Sequence, residues 1–363
     1  MKKAVVKTFE PKKGQRVIAI SDIHGNLDVF QNLLKKIVFT EQDILVLVGD
    51  MLEKGPRNLD TLHYIMELEK THQVYAILGN CDMVLLTLIE NRENERLRLY
   101  LQQRLSTIHE MYRKLGYEFG DATNISEMKR LLCTHFQEEI RWLQKLPHIL
   151  VAGNYYFAHA ALKSENVNEN SMQDVIREEA FMEQDHEFTH TVVVGHTPVT
   201  LYDTKISQNN PIFDKKKNII SIDGGNVLKL EGQLNALFIP DTTFNEVYYD
   251  SMDLLPQAVI METRSIKEEQ DSINVRWSDG AVKILRRENE FSYCKHLSSG
   301  HELWILNEVL SNYNGMEWAE EGTDYVLPVI EGDVVSVVRE TSRGYLVKRD
   351  GRVGWYTGSL KLL

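Results

Sequence analysis

Apolar runs alternate with helical patterns along the first part of the chain. The strand-like runs RVIAIS, DILVLVG and QVYAILG are rich in β-branched residues, and each is followed by an amphipathic stretch. Between these runs, apolar residues recur at helical spacing over residues 27–37 and 59–68. The alternation predicts an α/β fold with crossover helices. DILVLVG and QVYAILG are almost wholly apolar, which predicts strands at the centre of the sheet with both faces covered.

Further strand-like segments follow a long charged stretch over residues 83–147, which has a helical pattern and predicts a helical insertion. The segments are YYFAHA, TVVVGH, NIISIDGGNV and QLNALFIP. They predict that the sheets, mixed and flanked by helices, continue to about residue 240 and end in a hairpin around Glu231-Gly232. The insertion could cover a substrate cleft or present a solvated outer face.

The character of the chain changes after residue 240. INVRWSDGAVKIL predicts a hairpin turning at Asp279-Gly280, and tight turns are predicted at Arg343-Gly344 and Asp350-Gly351. We therefore expect a catalytic domain over residues 1–240 and a small, β-rich, barrel-like domain over residues 241–363. The segments EGDVVSVV and GYLVKRDGRVGWYTGSL resemble bacterial Src-homology-3-like barrels, which implies either a peptide ligand or simple packing on the rest of the protein.

Composition excludes several classes of protein. The 363 residues exceed what one core usually supports, so two units are expected. With 43% apolar and 26% charged residues, the chain fits the ordinary globular class. Its formal charge of -12 argues against a general affinity for nucleic acid, which requires clustered cations. No segment has the length of a signal peptide or membrane span, and the three cysteines are widely spaced, so we expect a cytoplasmic protein without membrane association.

Metal-ligand side chains stand where the predicted strands end. Ligands of open α/β sheets bind outside the carboxyl ends of the strands, so these side chains are expected to converge. Carboxylates mixed with imidazoles suit Mn, Fe, Zn or Co better than calcium, and two ions could share one carboxylate. A single such residue is as often a helix cap, but the ordered set predicts a metal centre. Its members are Asp22, His24, Asp50, Asn80, His159 and His196.

These motifs resemble the calcineurin-like metallophosphoesterase superfamily over about residues 16–240. The counterparts of the family pattern are DIHG, GDMLEKG, GNCD, FAHAAL and VVGHTPV. The branch with the greatest similarity contains serine/threonine phosphoprotein phosphatases and bacterial dinucleoside tetraphosphatases. The resemblance implies two divalent ions, manganese first and Fe, Zn, Co or Ni as alternatives, with a hydroxide between them that attacks phosphorus.

The resemblance also implies a role for each ligand. Asp22, His24 and Asp50 would hold the first ion, and Asp50 would bridge to the second. Asn80, His159 and His196 would complete the second site, and Asn80 would also stabilise charge on the phosphate.

The sequence departs from the phosphoprotein phosphatases at three positions. Cys81 and Glu53 stand where that branch has a His and an Asp that protonate the leaving group. A thiol is a poorer acid than an imidazolium, so Cys81 either packs beneath the metals or donates the proton itself. Lys54 replaces a phosphate-binding Arg, and Arg57 could supply the missing bidentate donor. GNCD also resembles the small bacterial phosphodiesterases of the superfamily.

Two further carboxylates have alternative roles. Asp82 is expected to cap the helix that follows it, or to bond a metal ligand. Asp223 either orients a ligand or serves the turn before its two glycines.

The sequence therefore predicts a metal-dependent phosphoester hydrolase that resembles phosphoprotein phosphatases. A dinucleoside polyphosphate hydrolase or a phosphodiesterase is the alternative, and a binding or scaffold protein with a vestigial site is the alternative of another class. The expected partner is a phosphorylated protein, nucleotide or small molecule.

Overall fold

Two facing β-sheets build the part of the chain that carries the predicted ligands. The computed structural model describes residues 2–90, 95–264 and 271–363. The chain divides into two compact units, the first formed by residues 1–197 and 211–253 and the second by residues 198–210 and 254–363. Residues 91–94 of the predicted insertion lie outside the described residues.

The first unit contains eleven described strands and eight described α-helices. Its strands are β1 (Val6–Thr8), β2 (Val17–Ile20), β3 (Ile44–Leu47), β4 (Gln73–Ala76), β5 (Ile149–Ala152), β6 (Tyr155–Ala158), β7 (Thr191–Val194), β8 (Ile212–Asp214), β9 (Ile219–Ser221), β10 (Leu234–Ile239) and β11 (Tyr248–Met252). Its helices are α1 (Leu27–Lys36), α2 (Asn58–Leu68), α3 (Met83–Ile89), α4 (Glu95–Gln103), α5 (Thr107–Lys114), α6 (Ile125–His135), α7 (Gln137–Lys145) and α8 (Met172–Arg177).

One sheet has the order β11-β10-β2-β3-β4 and the other the order β1-β5-β6-β7-β9-β8. Both contain parallel and antiparallel pairs, with β2, β3 and β4 parallel to one another. Helices α3 to α7 form the helical insertion. The mixed sheets, the flanking helices and the insertion confirm the predicted fold class of this unit.

The alternation of side chains along β2 explains why its residues are all apolar. Val17 and Ala19 belong to a core shared with the second sheet, whereas Ile18 and Ile20 belong to a core shared with the helices. Both faces of the strand are therefore covered, as a continuous apolar run predicts.

The second unit is built of short strands. They are β12 (Gln257–Ile260), β13 (Asn274–Arg276), β14 (Val282–Arg287), β15 (Phe291–His296), β16 (Glu302–Leu306), β17 (Leu310–Tyr313), β18 (Met316–Ala319), β19 (Glu321–Thr323), β20 (Val334–Thr341), β21 (Gly344–Arg349), β22 (Arg352–Tyr356) and β23 (Leu360–Leu362). They pair as an open sheet of order β22-β21-β20-β12-β23, a three-stranded sheet β14-β15-β16 and two strand pairs. The β-rich character is confirmed, but the strands do not close into the expected barrel.

Turn predictions succeeded where the flanking strands pair with each other. The β21–β22 hairpin turns at Asp350 and Gly351, whose φ angles of 50° and 74° are those of a tight hairpin turn, and β20–β21 turns before Gly344. The hairpin predicted around Glu231-Gly232 is wrong, because β9 and β10 lie in different sheets. The one at Asp279-Gly280 is also wrong, because β13 pairs with β19 and β14 with β15.

Two other features of the described chain bear on the predictions. Strand β4 lies at the edge of its sheet, not at the centre as its apolar sequence suggested. Among the described residues, no helix combines the length and apolar character that crossing a lipid bilayer requires.

Candidate metal centre

The loops after five strands converge at one edge of the two sheets. Backbone bonds join the first two of these loops, since the N–H of Asp22 donates to Gly49 at 3.1 Å and that of His24 to Asp50 at 3.0 Å. Strands β2, β3 and β4 supply Asp22, His24, Asp50 and Asn80 from one sheet, and β6 and β7 supply His159 and His196 from the other.

Four of these residues occupy a backbone conformation that L-residues rarely adopt. The φ angles of Asp22, His24, Asp50 and His196 are 54°, 49°, 48° and 68°. Each such residue costs about 1–3 kcal/mol and persists only where its surroundings impose it, which is typical of functional sites.

Two glycines allow the loops to approach the carboxylates closely. A Cβ atom on Gly79 would overlap the carboxylate of Asp50, and one on Gly195 would overlap that of Asp22. Any side chain at either glycine would displace a candidate ligand.

Asp50 lies between two imidazoles. Its Oδ2 is 3.8 Å from Nε2 of His24, and its Oδ1 is 3.3 Å from Nε2 of His159. Asp50 belongs to two groups whose ligand atoms lie within 4.8 Å of one another, one with His24 and Cys81 and the other with His159 and His196. The two oxygens of this carboxylate thus face two separate clusters of donors.

Backbone carbonyls hold the rings of two histidines. Nδ1 of His159 lies 2.9 Å from the carbonyl of Val48, and Nδ1 of His24 lies 3.4 Å from that of Leu52. A carbonyl only accepts, so Nδ1 carries the proton in the His159 bond and Nε2 is left as the ligand atom, as in metal-bound histidines. Nε2 of His159 also lies 3.1 Å from Oδ1 of Asn80.

The electrostatics of the cluster favour binding of cations. Burial and the nearby charge of Lys54 lower the pKa of His24 to about 3. Burial and the charge of His159 lower the pKa of His196 to about 3 as well, so both rings are neutral at pH 7. Burial would raise the pKa of Asp50, but the neighbouring positive charges, His159 first, hold it well below its ordinary value. Burial likewise opposes the charge of His159, yet Asp50 raises its pKa to about 10. A divalent ion binding here would displace that proton.

Asp22 provides a further test of whether the donors fit metal ions. Its Oδ1 is buried, has no hydrogen-bond partner among the described residues and lies 3.7 Å from Nε2 of His24. Burial raises the pKa of Asp22 to about 6. The positive charge of His159 opposes this shift and the negative charge of Asp50 adds to it. A buried acceptor without a partner costs free energy that a bound cation would offset. Carboxylate, imidazole and amide donors in this arrangement fit two divalent transition ions.

Cys81 is a candidate ligand that the sequence did not suggest. Its Sγ is grouped with His24 and Asp50, and it receives a bond from Nδ2 of Asn80 at 3.5 Å. Its backbone N–H donates to Oδ1 of Asp50 at 2.8 Å. Burial raises the pKa of the thiol well above its usual range. The protonated thiol suits both predicted roles, packing and proton donation, whereas binding a metal ion would require the thiolate.

The two predicted phosphate-binding cations differ in placement. Nζ of Lys54 lies 3.4 Å from Nε2 of His24, inside the cluster. The guanidinium of Arg57 instead pairs with Asp28 at 2.7 Å and with Asp60 at 3.0 Å, on exposed side chains. Lys54 therefore lies at the site, whereas Arg57 forms ion pairs with carboxylates at the surface.

Arg177 is a cation near the site that sequence reasoning missed. It is the last residue of α8, and its positive charge contributes to the low pKa of His196. The carbonyl of Val175 accepts the N–H of Ala160 at 2.7 Å, which fixes this helix beside the loop of His159. No motif surrounds Arg177, so only its position between the two histidines in sequence could have suggested it.

The remaining predicted carboxylates connect loops. Glu53, predicted as catalytic, accepts bonds from two residues of the helical insertion and is 1% exposed. Asp82 accepts the N–H groups of Leu52 at 3.1 Å and Gly79 at 2.9 Å, and makes no side-chain bond that caps α3, so the predicted cap is wrong. Asp82 thus joins the Asp50 loop to the Asn80 loop.

Asp223 shows features of both predicted roles. Its Oδ1 accepts the N–H of Gly225 at 2.8 Å, as a turn residue does, while its Oδ2 is buried with no hydrogen-bond partner among the described residues. Burial, then the charge of Asp22, raises its pKa well above the usual range.

A known protein family matches the part of the chain that carries the candidate ligands. A sequence model described as calcineurin-like phosphoesterase matches residues 15–224. The chain is 40% identical over 78 residues to the symmetrical bis(5'-nucleosyl)-tetraphosphatase of Pseudomonas syringae pv. syringae, covering 21% of this chain and 26% of that protein. It is 30% identical over 150 residues to the enzyme of the same name from Chromobacterium violaceum, covering 41% and 44%.

A solved structure of a metallophosphoesterase from Sphaerobacter thermophilus is 14% identical, covers 66% of this chain and 89% of that one, and has a TM-score of 0.38. The matches to the two tetraphosphatases each span less than half of the relative's length.

Proposed function

This chain belongs to the calcineurin-like phosphoesterase family, and on that premise we propose that it hydrolyses phosphoesters with two divalent metal ions, manganese being the first choice. The observation that carries the proposal is the placement of Asp50, whose two oxygens face His24 and His159. Asp22 and His24 would complete the site of one ion, and Asn80, His159 and His196 that of the other. When bound, two such ions supply an activated water at neutral pH and neutralise charge on the phosphate.

The side chains around the ions would position the substrate. Lys54 reaches the cluster from the loop after β3, and the positive charge of Arg177 is one of those that lower the pKa of His196. Two cations, one from a loop and one from the end of α8, can hold different oxygens of one phosphate, with charge-assisted hydrogen bonds that are stronger than neutral ones. The amide of Asn80, whose Oδ1 lies 3.1 Å from Nε2 of His159, would bond a third oxygen. Arg57 is not part of this proposal, because Asp28 and Asp60 already occupy its guanidinium.

Cys81 distinguishes the candidate substrates. A phosphoprotein has a poor alkoxide leaving group that requires a proton, whereas the leaving group of a polyphosphate is itself a phosphate and needs less help. A buried thiol whose pKa is raised well above normal is a weak proton donor for the first reaction. Both curated relatives described above are named tetraphosphatases of dinucleosides. We therefore place a dinucleoside polyphosphate first and a phosphoprotein or a phosphodiester second.

A panel of substrates tests the function and its class together. Purified protein with added manganese is expected to hydrolyse diadenosine tetraphosphate faster than a phosphopeptide or bis(p-nitrophenyl) phosphate. Asp50→Asn is expected to abolish every activity by removing one charge from both clusters. Asp250→Asn is the matched control, because it removes the charge of an exposed pair with Lys36 and keeps an oxygen that can accept the N–H of Ser251. Full activity of Asp50→Asn would refute the proposal, and a preference for the phosphopeptide would reverse the order of substrates.

A binding or scaffold protein with a vestigial site is the competing function. A peptide ligand for the C-terminal strands stays a prediction. Absence of bound manganese from the wild-type protein, together with absence of any turnover, would favour the binding or scaffold function.

A further inference from the structure

The helical insertion and the loop that carries Lys54 each contribute a carboxylate that accepts hydrogen bonds from the other segment. We refer to residues 50–58 as the 50–58 loop. From this loop, Glu53 accepts the backbone N–H of Thr107 at 2.9 Å and the hydroxyl of Tyr100 at 3.0 Å. Thr107 is the first residue of α5, so Glu53 places a carboxylate at the positive end of that helix.

The second carboxylate belongs to the insertion and accepts hydrogen bonds from the other segment. Glu110 of α5 accepts the N–H groups of Asn58 at 2.9 Å and Leu59 at 2.7 Å, as well as Nδ2 of Asn58 at 2.8 Å. These are the first two residues of α2, which begins at Asn58, the last residue of the 50–58 loop, and has no capping bond from its own N-cap side chain. Helix α5 therefore caps α2, and the 50–58 loop caps α5.

Lys54 lies between these two anchors. Glu53 and Lys54 have φ angles of 74° and 71°, consecutive left-handed conformations that neither residue favours by itself. The backbone therefore needs an outside restraint, and the two carboxylate contacts provide one on each side. This conformation is the one in which Nζ of Lys54 lies 3.4 Å from Nε2 of His24.

We propose that Glu110 and Glu53 are positioning residues: through the exchange of caps, the helical insertion holds Lys54 in the orientation that binds the substrate phosphate. The assignment to phosphate rests on the proposed function, whereas the restraint of the 50–58 loop by α5 stands without it. Glu53 then acts on the backbone of Lys54 and has no contact with the reacting atoms.

The test compares the loss of two helix caps, each supplied by a side chain of the insertion. Glu110→Ala removes all three bonds to α2, and Glu110→Gln keeps an oxygen acceptor. The matched control is Asn124→Ala, which removes the side-chain cap of α6, where Oδ1 of Asn124 accepts the N–H of Glu127 at 3.1 Å. Each variant is compared at equal metal content for KM and kcat with p-nitrophenyl phosphate, for melting temperature and for amide hydrogen exchange.

The proposal makes a different forecast for each variant. Glu110→Ala should raise KM by about tenfold with kcat changed less than about threefold, and should speed exchange in the 50–58 loop. Glu110→Gln should recover most of the wild-type KM. Asn124→Ala should lower the melting temperature and leave both KM and exchange in the 50–58 loop unchanged.

Two results would overturn the proposal. One is a Glu110→Ala protein that loses thermal stability but keeps the wild-type KM and loop exchange, as a merely structural contact would. If Glu110→Ala does not fold, Glu53→Ala, which removes the bonds from Tyr100 and Thr107, replaces it, and a wild-type KM and loop exchange there overturn the proposal equally. If the wild-type protein hydrolyses no phosphoester, the proposed function fails, and loop exchange with calorimetric binding of orthophosphate still decides the role of Glu110.

Discussion

The backbone N–H of His196 donates to Oδ2 of Asp22 at 3.0 Å, so the last predicted ligand in the chain is tied to the first. These residues are 174 positions apart and follow strands of different sheets. The bond leaves Oδ1 of Asp22, the oxygen on the side of His24, without a hydrogen-bond partner among the described residues. The carboxylate therefore has one oxygen for the fold and one for a ligand.

Asp22→Asn should separate these two roles. The amide oxygen can still accept the N–H of His196, and the substitution removes a buried charge, so the metal-free protein should be as stable as the wild type or about 1 kcal/mol more stable. Metal content should fall, because a neutral amide is a weaker ligand. Urea unfolding in chelator and elemental analysis of the loaded protein measure the two effects. An undiminished metal content would contradict the assignment of Asp22.

Two arginines near the loops should respond differently to alanine. Arg177→Ala should raise KM for a phosphoester by about tenfold, the effect of losing one charge-assisted hydrogen bond. Arg57→Ala is the matched change, and since its guanidinium pairs with exposed carboxylates it should leave KM within about twofold. Steady-state kinetics at fixed manganese distinguish them, and a larger effect at Arg57 would reverse their roles.

His148 makes the stability of the first unit depend on pH. Its Nδ1 accepts the N–H of Val5 at 2.9 Å, which requires an unprotonated nitrogen. Burial, with a contribution from the charge of Lys2, lowers the pKa of His148 from its ordinary value of 6.5 to about 4. Between these values the unfolded chain binds more protons than the folded one, so the stability from this group rises with pH and is lost on acidification.

The expected size of this effect is about 2 kcal/mol between pH 7 and pH 5. Urea unfolding in chelator at both values should show a smaller loss for His148→Asn, which does not titrate, than for the wild type. Equal losses in the two proteins would show that His148 does not contribute.

The sequence indicated the candidate ligands because the signal is local. Asp22, Asp50 and His159 each lie within three residues of the end of an apolar strand, and the carboxyl ends of parallel strands meet at one edge of a sheet. Which strand neighbours which is not local information. The sequence QVYAILG is as apolar as a central strand, yet β4 lies at an edge of its sheet.

The roles of single residues around the ligands were harder to predict. The partners of Glu53 are 47 and 54 residues away in the insertion, so its part in capping α5 could not be read from its own motif. Asp82 stands at the start of a helix, where an Asp usually caps, but the N–H groups of Leu52 and Gly79 take its oxygens. In both cases a long-range hydrogen bond prevailed over the local preference.

The central claim is that Asp50 serves two metal ions at once, and crystals soaked with manganese test it most directly. An anomalous difference map should contain two peaks, one between Asp50 and His24 and the other between Asp50 and His159. A single peak, or peaks that do not contact Asp50, would contradict the account.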